Sequence, residues 1–132
     1  MVAKWFNRGE ANEEEANLLR DDWVDGRVEL YAPSLLLFEV ANSIWKNSNV
    51  TRKIASSLVG LAVRICPTLL NPQQEVAEQA ILLARSKNLT FYDSIYLAVA
   101  KSLSLLLITA DQEQLVAAER YTKVAHLSTW KD

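Results

Sequence analysis

Residues Leu89–Asp111 read LTFYDSIYLAVAKSLSLLLITAD. A short apolar lead-in precedes a segment almost without polar side chains, and an apolar run follows that ends in Thr-Ala-Asp. The spacing predicts a helix over Tyr92–Leu103 and a strand over Leu105–Thr109. That strand is apolar at nearly every position, as expected for a central parallel strand buried on both faces. Asp93 then falls in the first turn of the helix and Asp111 just past the end of the strand.

Working outward, the chain alternates strands and helices. Val2–Asn7 reads as a short helical piece. Glu10–Asp25 is acidic early and apolar later, a helix with carboxylates at its positive end and Gly26 as its stop. Val28–Ala32 alternates as a strand, and Pro33 opens a helix over Ser34–Lys46. There Glu39, Asn42, Ser43 and Lys46 form one narrow polar stripe on a broad apolar arc. Thr51 caps a helix over Arg52–Arg64. Cys66–Leu70 is a brief strand, placed at a sheet edge because Pro67 cannot donate to a ladder. A helix runs from Asn71-Pro72 to about Lys87, with Asn88 as a left-handed stop. Asp111–Glu119 is a further helix, Val124–Leu127 a last strand and Ser128–Asp132 a tail. This order predicts one α/β domain over residues 1–132, with a parallel sheet covered by helices on both faces. Ligands of such sheets gather at the carboxyl ends of the strands. Asp111 and the start of the helix carrying Glu39 belong there.

Composition narrows the chemistry. The 132 residues are 50% hydrophobic and 23% charged, with a net charge of −2, which excludes a nucleic-acid binder working by positive charge alone. A single cysteine, Cys66, excludes an internal disulfide and sets a reducing, cytoplasmic location as the expectation. No apolar run approaches the roughly 20 residues of a spanning helix, so no membrane role is expected. Gly9, Gly26 and Gly60 are isolated, which excludes the glycine-rich turns of Rossmann and P-loop nucleotide sites. Zinc lacks its usual ligands. His126, the lone histidine, reads as structural, and Cys66 as a core residue.

The acidic residues each have an ordinary reading. Thr90-x-x-Asp93 resembles a capping box, Asp111 with Gln114 resembles an N-cap, and Glu39 can lie on a solvated stripe. Taken together they read differently. Asp93 lies beside much apolar surface with no basic neighbour in sequence, and a carboxylate there needs a partner. Three carboxylates about 5 Å apart repel by several kcal/mol at an effective dielectric near 20. A hard cation with oxygen ligands, Mg²⁺ or Mn²⁺, removes that penalty.

Three blocks, PSLLLFEVANSIWK (Pro33–Lys46), LTFYDSIYLAVA (Leu89–Ala100) and LITAD (Leu107–Asp111), resemble the PIN-domain family, and in particular its VapC toxins. The opening KWF (Lys4–Phe6) is similar too. The resemblance implies a three-layer α/β/α fold and a Mg²⁺- or Mn²⁺-dependent endoribonuclease acting on RNA. It also implies a homodimer and inhibition by a VapB-type antitoxin. Glu39, Asp93 and Asp111 match family acidic positions as metal ligands and catalytic residues. Thr109 matches the hydroxyl before the last aspartate, where it would bond a metal-bound water or a phosphate oxygen. Asn42 matches an asparagine one turn after the glutamate. Family members begin with an apolar strand ending in an aspartate, whereas Met1 already lies in the following helix. The first strand and its ligand are therefore expected to be absent, leaving a gap in the sheet and weaker metal binding. The alternative this raises is a catalytically impaired PIN-like interaction module. A receiver-like signalling domain leaves the Pro33–Lys46 block unexplained.

Overall fold

Helix α1 spans Glu13–Val24, with Glu13, Glu14 and Glu15 in its first turn, where the helix dipole favours anions. It ends at Asp25, and Gly26 follows with φ 74°, the left-handed turn expected of a glycine stop. These assignments come from a computed structural model that describes residue 5 and residues 9–131. Apart from Trp5, the helical piece expected over Val2–Asn7 and the KWF block lie outside the described residues.

Strand β1 is Tyr31–Pro33, so Pro33 closes a strand rather than opening the next helix. Helix α2 follows over Leu35–Lys46, burying Val40 and Ile44. Thr51 accepts a bond from the Ile54 N–H at 3.3 Å and starts α3, Arg52–Arg64. Strand β2 is Thr68–Leu70, and α4 is Gln74–Lys87, ended by Asn88 at φ 53°. Helix α5, Phe91–Ser102, opens on a bond from the Asp93 N–H to the Thr90 hydroxyl. Strand β3 is Leu107–Thr109, α6 is Gln112–Ala118, and β4 is Val124–His126, with a 3-10 turn over Leu127–Thr129. His126 plays the expected structural part, since its Nδ1 accepts from the Ser128 N–H and pairs with the Ser128 hydroxyl at that turn.

Among the described residues the strand pairs are parallel and form two pairs rather than one sheet: β1 with β2 and β3 with β4. β2 is an edge, as Pro67 predicts. The layering shows in β3, where successive side chains point to opposite faces. Leu107 packs into a core built on α4, α5 and α6, while Ile108 packs with Ala16 and Leu19 of α1 and with Leu127. Helices therefore cover both faces, which bears out the α/β architecture.

The strand expected over Leu105–Thr109 is shorter, and among the described residues it pairs on one side only, with β4. Ser104 adopts φ 54°, and the Leu105 N–H turns back to the Ala100 carbonyl at 2.9 Å. That closes α5 and removes Leu105 from any ladder. Leu106 is half exposed. The expected wide apolar arc of α2 is only partly used, since Phe38 and Trp45 stand in solvent. Cys66 is half-buried rather than core, and that burial pushes its thiol pKa up.

Between the two strand pairs lies a cavity of about 640 Å³ that Tyr31, Ala32 and Pro33 of β1 and Leu107, Ile108 and Thr109 of β3 all line. The Thr68 N–H bonds the Leu30 carbonyl and the Ser34 N–H bonds the Leu70 carbonyl, so alternate residues of β1 face β2. The polar backbone groups of Tyr31 and Pro33 consequently turn the other way. By the same alternation, the bond from the Leu107 N–H to Lys123 leaves Ile108 turned away from β4.

Candidate functional site at the mouth of the cavity

Glu39, Asp93 and Asp111, from α2, α5 and the β3–α6 junction, all line this one cavity. Glu10 and Glu29 join them in the wall, and no described Lys, Arg or His does. None of the three is in an ion pair among the described residues.

Each is held by its own local chemistry. Glu39 is exposed, and its Oε1 accepts a 2.6 Å bond from the Tyr96 hydroxyl. Asp93 is half-buried, one turn before Tyr96 on α5. Burial, then the Glu39 bond, then the charges of Glu39 and Asp93 push the Tyr96 phenol far above its usual range, so it keeps its proton. Asp111 caps α6, with Oδ1 accepting from the Gln114 N–H at 3.1 Å. Thr90 and Asp111 thus cap their helices alongside the shared cavity, Thr90 through the hydroxyl half of the expected capping box.

Thr109 is nearly buried, and its hydroxyl is turned into the protein. It donates to Gln114 Oε1 at 2.6 Å and accepts from the Asp111 N–H at 3.0 Å. Gln114 Nε2 in turn donates to the Asp93 carbonyl at 3.2 Å. One buried amide therefore ties the β3 terminus to the first turn of α5, and Thr109 acts on Asp111 through this knot. Thr109 also lines the cavity, and its hydroxyl keeps a second lone pair beyond these two bonds. The sequence marks Gln114 only as part of the Asp111 cap, and it does not mark Tyr96. Gln114 looks like an ordinary third residue of a capped helix, and Tyr96 like one more apolar position of α5.

The three carboxylates do not close on one point. Among the described residues, no three His, Cys, Asp or Glu side chains come together tightly enough to cage an ion. Glu39, Asp93 and Asp111 share the cavity in an open arrangement. Glu39 is drawn to Tyr96, Asp111 is drawn to the α6 terminus, and like charges keep apart. The donor chemistry still fits a hard cation. It is all oxygen, with neither Cys66 nor His126 in the wall, and Mg²⁺ is commonly held by one or two carboxylates while keeping several waters. Asn42 is exposed on α2 and does not line the cavity.

A model of the PIN domain matches residues 2–120. The curated exonuclease VapC9 of Pyrobaculum aerophilum is 27% identical over 95 residues, covering 72% of this chain and 71% of that one. The crystal structure of PAE2754 from Pyrobaculum aerophilum superposes with a TM-score of 0.67 at 27% identity, over 87% of this chain and 82% of that one. Parallel strands between helices and a family match over nearly the whole length lead to one conclusion: the chain belongs to the PIN-domain family.

Proposed function

We propose that this protein is a Mg²⁺- or Mn²⁺-dependent endoribonuclease and the toxin of a VapBC-type toxin–antitoxin pair. The observation that carries the reading is the convergence of Glu39, Asp93 and Asp111 on one cavity without a cationic residue in its described wall, in a PIN-domain chain. Glu39 and Asp93 would hold the ion, and Asp111 would complete the acidic face with the oxygen not used in capping. When bound, such an ion acidifies a water and neutralises charge on a phosphate. The protein's own contribution is placement. Thr90 and Gln114 fix the first turn of α5 and with it Asp93, and Thr109 holds the Asp111 backbone. The wall repels a bare polyanion, so RNA would enter only with its counter-charge.

Exposed Phe38 and Trp45 on α2 offer apolar area to a protein partner, either a VapB-type antitoxin or a second copy in a homodimer. Unpaired Cys66 fits a cytoplasmic location. No described helix is long and apolar enough to cross a membrane.

The test is cleavage of a linear and a circular RNA with Mn²⁺, Mg²⁺ or EDTA. Metal-dependent cutting of both, lost in D93N, supports the reading. Cutting of the linear RNA alone would make the enzyme an exonuclease, as its named relative is. A second reading, an impaired interaction module, is favoured by the open spacing of the acids. Titration with Mn²⁺ that gives no heat and no change in melting temperature would establish it.

A further inference from the structure

Tyr96 is the residue through which the core of the protein reaches Glu39. Its ring packs against the buried cluster of α5, between fully covered neighbours Ile95 and Leu97. Its hydroxyl crosses to α2 and donates to Glu39 Oε1 at 2.6 Å, a span of 57 positions in the chain. The bond is short, as for a donor meeting an ionised acceptor. Glu39 itself is exposed, with apolar neighbours Phe38 and Val40 that offer it no other polar hold. Without this bond a surface glutamate samples many rotamers, and ordering it on a ligand costs conformational entropy. The phenol is fixed by packing, so that ordering is already done. Glu39 Oε2 has no protein partner among the described residues and stays available.

We infer that Tyr96 is a positioning residue for the acidic site: its hydroxyl holds the Glu39 carboxylate toward the helix that carries Asp93. This rests on the proposed metal-binding reading of the site. Tyr96 touches neither ion nor substrate in this role and acts only through Glu39. Partners of this kind change metal affinity by roughly ten- to a hundredfold when removed. The lower end applies here, since the phenyl ring of the Y96F variant still packs.

Mn²⁺ affinity is measured by electron paramagnetic resonance of the free ion on wild type, Y96F, E39Q and Y96F/E39Q. Near-ultraviolet circular dichroism checks the fold of each. Y96F is expected to weaken Mn²⁺ binding roughly tenfold. In the E39Q background the same change is expected to do less than about twofold, because the group it positions is gone. Equal affinity of Y96F and wild type would overturn the inference, and so would an undiminished loss in the E39Q background. A wild type that binds no Mn²⁺ would instead sink the metal-binding reading and this inference with it. Y96M carries the same cycle should Y96F lose its near-ultraviolet signal, with the same expected and overturning results.

Discussion

Replacing Thr109 with valine keeps the shape of the side chain and deletes the centre of the polar knot beneath the site. Thr109 is 4% exposed and its Gln114 partner 9%. In T109V the Gln114 Oε1 loses its donor in a place that water reaches poorly, at about 1–3 kcal/mol. The Asp111 N–H also loses its acceptor. It is only part-buried, so water compensates and the loss is nearer an ordinary net bond of about 1 kcal/mol. Together the destabilisation is about 2–4 kcal/mol, a large share of the 5–15 kcal/mol that holds a typical domain. Urea melts followed by far-ultraviolet circular dichroism measure it as a lower midpoint at unchanged slope. The double variant T109V/Q114L should recover part of the loss, because replacing both partners by apolar groups leaves no orphan at that bond. A T109V protein within about 0.5 kcal/mol of wild type, the range of ordinary surface changes, would refute the account of Thr109 and Gln114 as a buried pair.

Other outcomes follow from single contacts. Leu97 is fully buried in the α5 core, so L97A should cost about 2–5 kcal/mol in the same urea assay. Asn88 ends α4 at φ 53°; N88A should lower stability by about 1 kcal/mol, whereas N88G should hold or raise it, since only glycine takes that conformation freely. Asp22 is held below the ordinary carboxylate range first by its bond from Arg27 and then by one from the Trp130 indole. Its folded value lies below its unfolded one, so its contribution is present above pH 3.8 and lost as acid titrates the folded carboxylate. D22N should therefore melt below wild type at neutral pH, with the gap in melting temperature closing in strong acid.

Much of the local structure is legible in the letters because it is set by neighbours in sequence. Thr51, Asn88, Thr90 and Asp111 announce their helix ends, and each performs the cap or stop that its side chain or backbone favours. The strand ends are less legible. Leu105 and Leu106 are as apolar as Leu107, and only the left-handed turn at Ser104 decides where the ladder starts. Contacts across the fold leave no mark in a one-dimensional pattern. The phenol of Tyr96 could have faced any neighbour of α5, and its choice of Glu39 is made by the packing of α5 against β1 and of β1 against α2. The shared cavity of the three acids was anticipated, because parallel strands deliver their following loops to one end. Their open spacing was not, since it depends on competing partners for individual oxygens.

The seam between the two strand pairs also bears on motion. Helix α5 packs on both β1 and β3, so it is the axle on which the two halves are mounted. Glu39 rides with β1 and α2, Asp111 rides with β3 and α6, and Asp93 sits on the axle itself. A slight breathing of one half against the other would alter the gap between the outer two acids while the middle one stays nearly still. Among the described residues no ladder joins β1 to β3, so the two halves are coupled by side-chain packing, through α5 and through the apolar cluster that Val28 and Leu30 share with Ile108.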